Sequence, residues 1–184
     1  MNQEPNTKHQ ANILIVDDTS VNLDWLSILL SDFGYKVQLV LNGAKALVSI
    51  QNNLPDLILL DTLMPDMNGY QVYEQLKSNQ QTADIPVIFI SALDTTSEQV
   101  KSLMKYGVDY ITKPFEKAEI LARIENQLSI RRLNKQLIEE KAKLQQEIRI
   151  SQDIIKQHQI AEAEIIRSRD LLESVFNGSA DAIF

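Results

Sequence analysis

Residues 56–69 read DLILLDTLMPDMNG, an apolar run that ends on Asp61 and passes straight into a turn with Pro65 and Gly69. A short, continuously apolar run bounded by turn residues is typical of a strand that is covered on both faces. A carboxylate at the end of such a strand is held rigidly where the strand reaches the surface. Asp61 is therefore the first candidate for a functional side chain.

Three other segments place polar side chains at the end of a predicted strand. Asp17 and Asp18 follow one apolar run, Ser91 ends a second, and Lys113 follows a third. The predicted strands are residues 12–17, 36–41, 56–61, 86–91 and 108–112. If these strands are neighbours in one parallel sheet, carboxylates, a hydroxyl and an amine meet at the edge where open α/β sheets bind ligands.

Helical patterns alternate with these strands, which predicts an α/β domain with a parallel sheet over residues 12–128. The first helix is predicted from Val21 to Phe33, and Gly34 suits the left-handed residue that often follows a helix. Its predicted apolar face consists of Leu23, Leu26, Leu30 and Phe33. The other predicted helices of the domain are residues 44–52, 70–79 and 97–106, the last ended by Gly107.

The composition narrows the class of protein. The 184 residues include no cysteine, which excludes disulfides and thiolate chemistry. The polar residues 1–11, expected to form a disordered tail, lack a signal-peptide core, and no apolar stretch approaches the length of a membrane span. These features favour the cytoplasm. The net charge of −7 lies entirely in residues 1–116, so nucleic-acid binding is not expected there.

Residues 117–176 contain neither glycine nor proline and predict one continuous helix, roughly 90 Å long at the usual rise per residue. One seam of positions seven residues apart consists of Ile130, Leu137, Leu144, Ser151, His158, Ile165 and Leu172, and its partner positions include Ile148, Ile155 and Phe176. One small domain cannot bury a seam of this length, which predicts a parallel homodimeric coiled coil over residues 129–176. Because Lys141, Glu162 and Arg169 interrupt the seam, a single solvated helix with ion pairs is the alternative.

The polar residues at the strand ends favour a particular chemistry. Two adjacent acids from one strand and a third from a neighbouring strand make an oxygen-rich site that suits Mg²⁺. A carboxylate can act as a nucleophile toward a phosphoryl group, and a metal neutralises charge on the group in transfer. A hydroxyl and an ammonium, here from Ser91 and Lys113, can hold the remaining phosphoryl oxygens. Each motif alone is more often a turn or a helix cap, so the prediction depends on the whole set.

The chain resembles the response-regulator receiver domain of two-component signalling. The matching segments are Ile15-Val16-Asp17-Asp18, residues 60–69 from Leu60 to Gly69, Ile90-Ser91-Ala92, and residues 109–115 from Asp109 to Phe115. The resemblance covers residues 12–128. It implies a flavodoxin-like, doubly wound sheet of five parallel strands in the order 2-1-3-4-5.

The resemblance also implies the roles of the acidic residues. Asp61 is expected to be the phosphoacceptor. Asp18 would bind Mg²⁺ directly and Asp17 would bind it largely through water. The backbone carbonyl of Leu63 would complete the protein's metal ligands.

The remaining matching residues are expected to bind and sense the phosphoryl group. Ser91 and Lys113 would each bind one of its oxygens. Tyr110 matches the switch aromatic of the family, which turns inward when the Ser91 hydroxyl moves toward the phosphoryl group. The bond between Lys113 and Pro114 is expected to be cis, as it often is in the family.

Two leucines beside the site lead to a prediction about the lifetime of the phosphoryl group. Leu63 lies two residues after the acceptor and Leu93 two residues after Ser91, at positions where the family often has polar residues. Two apolar side chains should orient the hydrolytic water poorly, so we expect a long-lived phospho-Asp61. A dephosphorylation half-life of seconds, measured on purified protein, would contradict this expectation. The alternative is that both leucines only pack locally.

Together these features favour a phosphorylation-dependent response regulator in a phosphorelay, with a sensor histidine kinase or a phosphotransfer protein as partner and no catalytic activity of its own. The dimeric helix would pass the change on to an output or sensor domain, and residues 177–184 resemble the opening of a PAS domain. The alternatives are a Mg²⁺-dependent phosphohydrolase of the aspartyl-phosphate type and a structural coiled-coil scaffold. Haloacid-dehalogenase-type phosphatases carry an acid where this chain has Leu63, which argues against the first alternative.

Overall fold

A computed structural model of the chain describes residues 11–91 and 108–180, with side chains up to residue 174. The elements in chain order are β1 Asn12–Val16, α1 Ser20–Asp32, β2 Lys36–Val40, α2 Gly43–Asn52, β3 Leu57–Asp61, α3 Gly69–Ser78, β4 Val87–Ser91, β5 Asp109–Thr112 and α4 Lys117–Ala180. The chain comprises two compact units, residues 1–133 and residues 134–184. The first unit has the predicted α/β architecture, and the second contains the remainder of α4.

The strands form one parallel sheet in the order β2-β1-β3-β4-β5, which confirms the predicted fold. β1 pairs with β2 on one side and with β3 on the other, so the direction in which the chain adds strands reverses beside β1. At such a reversal the connections leave toward opposite faces of the sheet and open a crevice at the carboxyl ends of the strands. The sheet therefore provides a crevice at the edge where Asp17 and Asp61 lie.

Helices cover both faces of the sheet, and successive strand residues point to opposite faces. One face carries Ile13, Ile15, Leu57, Leu59, Ile88, Ile90 and Ile111, which pack against α1 and the first turns of α4. The other face carries Leu14, Val16, Ile58, Leu60, Val87 and Phe89, which pack against α2 and α3. Every residue of β3 and β4 is buried, as the apolar runs predict. The rigid centre of the sheet thus supports the residues that follow it.

The predicted boundaries within the described part of the first unit agree with the structure to within one residue. Gly34 has the predicted left-handed backbone, with φ of 82°. The prediction that Phe33 belongs to the apolar face of α1 is wrong. Phe33 is the C-cap residue, with φ of −91° and ψ of 6°, and lies just after the helix. Its ring is half exposed, with the ammonium of Lys117 at 4.9 Å from the ring centroid, and Leu29 is buried on α1 in addition to the leucines predicted.

Helix α4 runs to Ala180, four residues past the predicted end at Phe176. It therefore passes through Asn177 and Gly178. A glycine in a helix interior costs only about 1 kcal/mol relative to alanine, so a single one need not end the helix. Three predictions lie outside the described residues: the disordered tail except for Ala11, the position of Leu93, and the helix at 97–106.

Candidate functional site

The register of the sheet brings the predicted site residues to one edge. Val16 pairs with Leu60, so the residues that follow them, Asp17 and Asp61, lie side by side. Ser91 ends the neighbouring strand β4 and pairs with Thr112, the residue before Lys113. These four side chains therefore come from β1, β3, β4 and β5 to the same crevice, as their positions in the sequence predict.

An ion pair with two acceptors connects the chemistry-bearing residues of the crevice. The ammonium of Lys113 donates hydrogen bonds to Asp17 Oδ2 at 2.9 Å and to Asp61 Oδ2 at 3.0 Å. Both carboxylates are buried, while the Lys113 side chain keeps 22% of its exposure. The lysine joins two acids that would otherwise repel each other. The bond between Lys113 and Pro114 is cis, as predicted.

Burial and charge act in opposite directions on the titration of these groups. Burial raises the pKa of Asp61 above its ordinary value, and it does so against the hydrogen bond and charge of Lys113, with the charge of Asp17 adding to the increase. Burial alone would lower the pKa of Lys113. Its hydrogen bonds to Asp17 and Asp61 and the charges of those acids together raise it. Lys113 therefore stays charged, while burial disfavours the charged form of Asp61, so a bound cation would stabilise that carboxylate.

The acidic residues fit a divalent cation. One carboxylate oxygen from each of Asp17, Asp18 and Asp61 lies within 4.8 Å of the other two. Asp17 and Asp61 are buried and Asp18 is exposed, so the cluster is open to solvent on one side. Mg²⁺ prefers a few carboxylates and keeps several waters, which is what a half-open cluster of this kind allows. The donor set therefore suits Mg²⁺, although the ligand roles assigned to each acid remain predictions.

The turn after β3 folds back onto Asp61. The backbone N–H of Leu63 donates to Asp61 Oδ1 at 3.3 Å, and the backbone N–H of Gly69 donates to the Thr62 carbonyl at 3.2 Å. A Cβ on Gly69 would lie 2.2 Å from the carbonyl oxygen of Asp61, so only glycine fits there. The Leu63 side chain is exposed beside the acceptor. The long lifetime of phospho-Asp61 and the Leu63 carbonyl as a metal ligand both remain predictions.

Two polar residues of the site were missed in the sequence. The Asn22 amide donates to both oxygens of Asp17, at 3.0 and 2.9 Å. The Thr62 hydroxyl donates to the Ser91 hydroxyl at 3.3 Å, and both are buried. Asn22 lies five residues after Asp17, in the first turn of the helix that follows, and that spacing is a weak signal because it allows the contact without establishing it. Thr62 carries no such signal, because it looks like any polar residue at the end of a strand.

Tyr110 lies on β5 and contacts the helix that leaves the domain. Its ring centroid is 5.7 Å from the guanidinium carbon of Arg123 on α4. Arg123 also forms ion pairs with Asp109, the neighbour of Tyr110 on β5, and with Glu119 one turn earlier on α4, the latter at 2.8 Å. Arg123 was not singled out in the sequence, although Glu119 and Arg123 have the spacing of a helical ion pair.

The second unit offers a different kind of surface. All side chains from residue 134 to residue 174 are exposed in the single chain. The large apolar ones are Leu137, Ile138, Leu144, Ile148, Ile150, Ile154, Ile155, Ile160, Ile165, Ile166, Leu171 and Leu172. Within residues 11–91 and 108–180, no helix combines the length and the apolar character that crossing a membrane requires.

Comparison with protein families identifies the family of this domain. The model of the response regulator receiver domain matches residues 13–125. Response regulator PleD of Caulobacter vibrioides is 38% identical over 114 residues, which are 62% of this chain and 25% of that protein. The DNA-binding dual master transcriptional regulator RpaA of Synechocystis is 38% identical over 112 residues, 61% of this chain and 46% of that protein. The chain thus spans between a quarter and about half of the length of these curated relatives.

Solved structures show the same similarity. A CheY-like response regulator receiver domain protein of Methanospirillum hungatei aligns with a TM-score of 0.61 and 27% identity, covering 67% of this chain and 98% of that one. The receiver domain of sensor histidine kinase PA1611 of Pseudomonas aeruginosa aligns with a TM-score of 0.59 and 28% identity, covering 65% and 98%. In that structure a magnesium ion is coordinated in the active site cleft.

Proposed function

The chain belongs to the response regulator receiver family, and on that premise we propose that Asp61 accepts a phosphoryl group in a two-component phosphorelay. The donor would be a sensor histidine kinase or a phosphotransfer protein. The observation that carries the proposal is the contact of Lys113 with both Asp17 and Asp61 inside a cluster of acids that suits Mg²⁺. A turn or a helix cap needs no buried acids held around a shared ammonium.

Asp61 would act as the nucleophile. An oxygen of its carboxylate forms a bond to phosphorus while the bond from phosphorus to the donor breaks, which leaves an acyl phosphate on Asp61. Asp17, Asp18 and Asp61, with the Leu63 carbonyl, would hold Mg²⁺, which offsets the negative charge of the phosphoryl group. Lys113 is already bonded to Asp61 and would turn its ammonium to one of the phosphoryl oxygens.

The phosphoryl group would be sensed at Ser91 and Tyr110. The Ser91 hydroxyl, which accepts a hydrogen bond from Thr62, would donate a hydrogen bond to a phosphoryl oxygen. Tyr110 would then turn inward and leave Arg123. Because Arg123 lies in the second turn of α4 and also pairs with Glu119, the loss of that ring contact would act directly on the helix that leaves the domain.

The helix would deliver the change to a further domain. The exposed apolar side chains from Leu137 to Leu172 support pairing with a second copy through residues 129–176 as a parallel coiled coil. Residues 177–184 would open a PAS sensor domain, and any catalytic output would belong to a separate domain. The receiver unit itself would be a phosphoacceptor.

Acetyl phosphate with Mg²⁺ tests the proposal without knowledge of the kinase. We expect one phosphoryl group per chain, located on Asp61 by mass spectrometry after reduction of the acyl phosphate with borohydride. Chelation of Mg²⁺ before the donor is added should prevent the modification. A folded chain that stays unmodified with both reagents present would contradict the proposal and favour a structural scaffold.

A further inference from the structure

Both oxygens of the Asp17 carboxylate accept hydrogen bonds. Its Oδ1 accepts from the backbone N–H of Thr19 at 2.9 Å and from the Asn22 amide at 3.0 Å. Its Oδ2 accepts from the same Asn22 amide at 2.9 Å and from the ammonium of Lys113 at 2.9 Å. A carboxylate offers about four acceptor positions, and these donors from the described part of the chain contact both oxygens, so Asp17 would take part in a Mg²⁺ site largely through water. Asp17 is also fully buried, and its orientation is therefore set by these partners.

Asn22 reaches Asp17 because of its place in α1. It is the third residue of that helix, whose N-cap is Thr19. Side chains of a helix tilt toward its N-terminus, so the amide of Asn22 points back to the end of β1. Asparagine is a poor residue for a helix and is better suited to a cap or a turn. Here its side chain binds Asp17 instead of capping α1. This contact with Asp17 explains why an asparagine occupies a helical position.

We propose that Asn22 is a positioning residue for the phosphorylation of Asp61. The amide holds both oxygens of Asp17, and Asp17 in turn holds the Lys113 ammonium beside Asp61. With Asn22 in place, the Lys113 ammonium is held at a defined position beside Asp61. From that position it can contact an oxygen of the phosphoryl group in transfer. Asn22 acts through Lys113 and not as a metal ligand, since the amide N–H groups that contact Asp17 cannot bind a cation. This inference rests on the proposed function of Asp61.

The proposal separates the rate of phosphorylation from the affinity for metal. In Asn22→Ala and in Asn22→Leu, which keeps the branched shape of the side chain, the maximal rate constant with acetyl phosphate at saturating Mg²⁺ should fall about tenfold, as expected when a charge-assisted hydrogen bond that orients a reacting group is lost. The dissociation constant of Mg²⁺, measured by calorimetry without a phosphodonor, should change by less than about threefold, because Asp18 and Asp61 are untouched and Asp17 would bind the metal largely through water. Ser27→Ala, on the same helix and also half-buried, is the matched control and should change neither quantity.

A double-mutant cycle tests the route through Lys113. In a Lys113→Ala background the substitution Asn22→Leu should lower the rate constant by less than about twofold, because the group that Asn22 positions is gone. Equal losses in both backgrounds would overturn the proposal, as would a weakened affinity for Mg²⁺ with an unchanged maximal rate. If the wild type is phosphorylated and Asn22→Leu matches it, only this inference fails. If the wild type itself takes up no phosphoryl group, the proposed function fails with it. Unfolding midpoints of all variants show whether a slow variant is folded.

Discussion

Replacing Asp61 by asparagine is expected to abolish phosphorylation by acetyl phosphate and also to stabilise the metal-free protein at neutral pH. The rate should fall by a factor on the order of a thousand or more, because the amide is not a nucleophile toward phosphorus. Stability should rise because burial raises the pKa of Asp61, which means that the folded protein disfavours its charged form. Asparagine has nearly the shape of the protonated acid, and Lys113 keeps its bond to Asp17.

The pH dependence of this effect has a defined sign. The folded protein binds the Asp61 proton more tightly than the unfolded chain does, so the stability of the wild type falls as the pH rises from the ordinary carboxyl range through the raised pKa. The variant lacks this group. The difference in unfolding free energy between variant and wild type should therefore grow between about pH 4 and pH 7. Denaturant titrations in the presence of a chelator measure it.

An acid of the same turn provides the control. Asp66 is exposed and lies outside the acidic cluster, so Asp66→Asn should keep both the phosphorylation rate and the pH dependence of the wild type. Addition of Mg²⁺ should stabilise the wild type and Asp66→Asn much more than Asp61→Asn. If metal-free Asp61→Asn is less stable than the wild type, the ion pair of Asp61 with Lys113 stabilises the fold by more than the burial of the Asp61 carboxylate costs. That result would contradict the expected sign.

The residues that meet at the edge of the sheet could be predicted because each of them stands at the end of a strand that is recognisable in the sequence. Each strand ends visibly in the sequence, and parallel strands bring their carboxyl ends together. Asp17, Asp61, Ser91 and Lys113 therefore meet as expected from their positions alone. Their roles came from the resemblance to the receiver family, since the residues by themselves fit other phosphoryl chemistry as well.

The contacts that could not be predicted join side chains on different helices and strands. The sequence does not show how those elements are oriented relative to each other. Asn22 reaches Asp17 only because α1 starts at one particular angle to β1. Arg123 reaches Tyr110 because α4 packs beside β5. Phe33 fits the spacing of the buried face of α1, yet the backbone leaves the helical conformation at that residue and turns its ring outward. Such details depend on packing between elements, which periodicity does not report.

The proposed dimer has a seam that one substitution should break. Ile155 lies on it and is 55% exposed in the single chain. In a parallel pair the two copies of residue 155 would face each other. Ile155→Lys would bury two ammonium groups in contact, which combines desolvation with repulsion between like charges. We expect the dimer dissociation constant to rise at least about a hundredfold, equivalent to about 2.7 kcal/mol. Analytical ultracentrifugation over a range of protein concentrations measures this constant.

The control is the same substitution on the opposite side of the helix. Ile160 is 47% exposed and lies five residues after Ile155, at the heptad position farthest from the seam. Ile160→Lys should therefore leave the dissociation constant within about threefold of the wild type, as expected for a surface substitution. Equal effects of both lysines would rule out this seam, and a wild type that is monomeric at all concentrations would rule out the dimer itself.

The polar residues of the seam would give the proposed dimer a moderate stability, as a switch requires. In a parallel pair Lys141, Glu162 and Arg169 would each face their own copy, and like charges at such positions oppose association. The apolar positions, of which Ile155 is one, would then hold together a pair of moderate stability. An effector can shift an equilibrium only by the difference in its binding free energy between the two states. A difference of a few kcal/mol can therefore dissociate or form a dimer of moderate stability, whereas a very stable dimer would stay associated. Phosphorylation of Asp61 should therefore change the dimer dissociation constant of the wild type measurably, and it should leave that of Asp61→Asn unchanged.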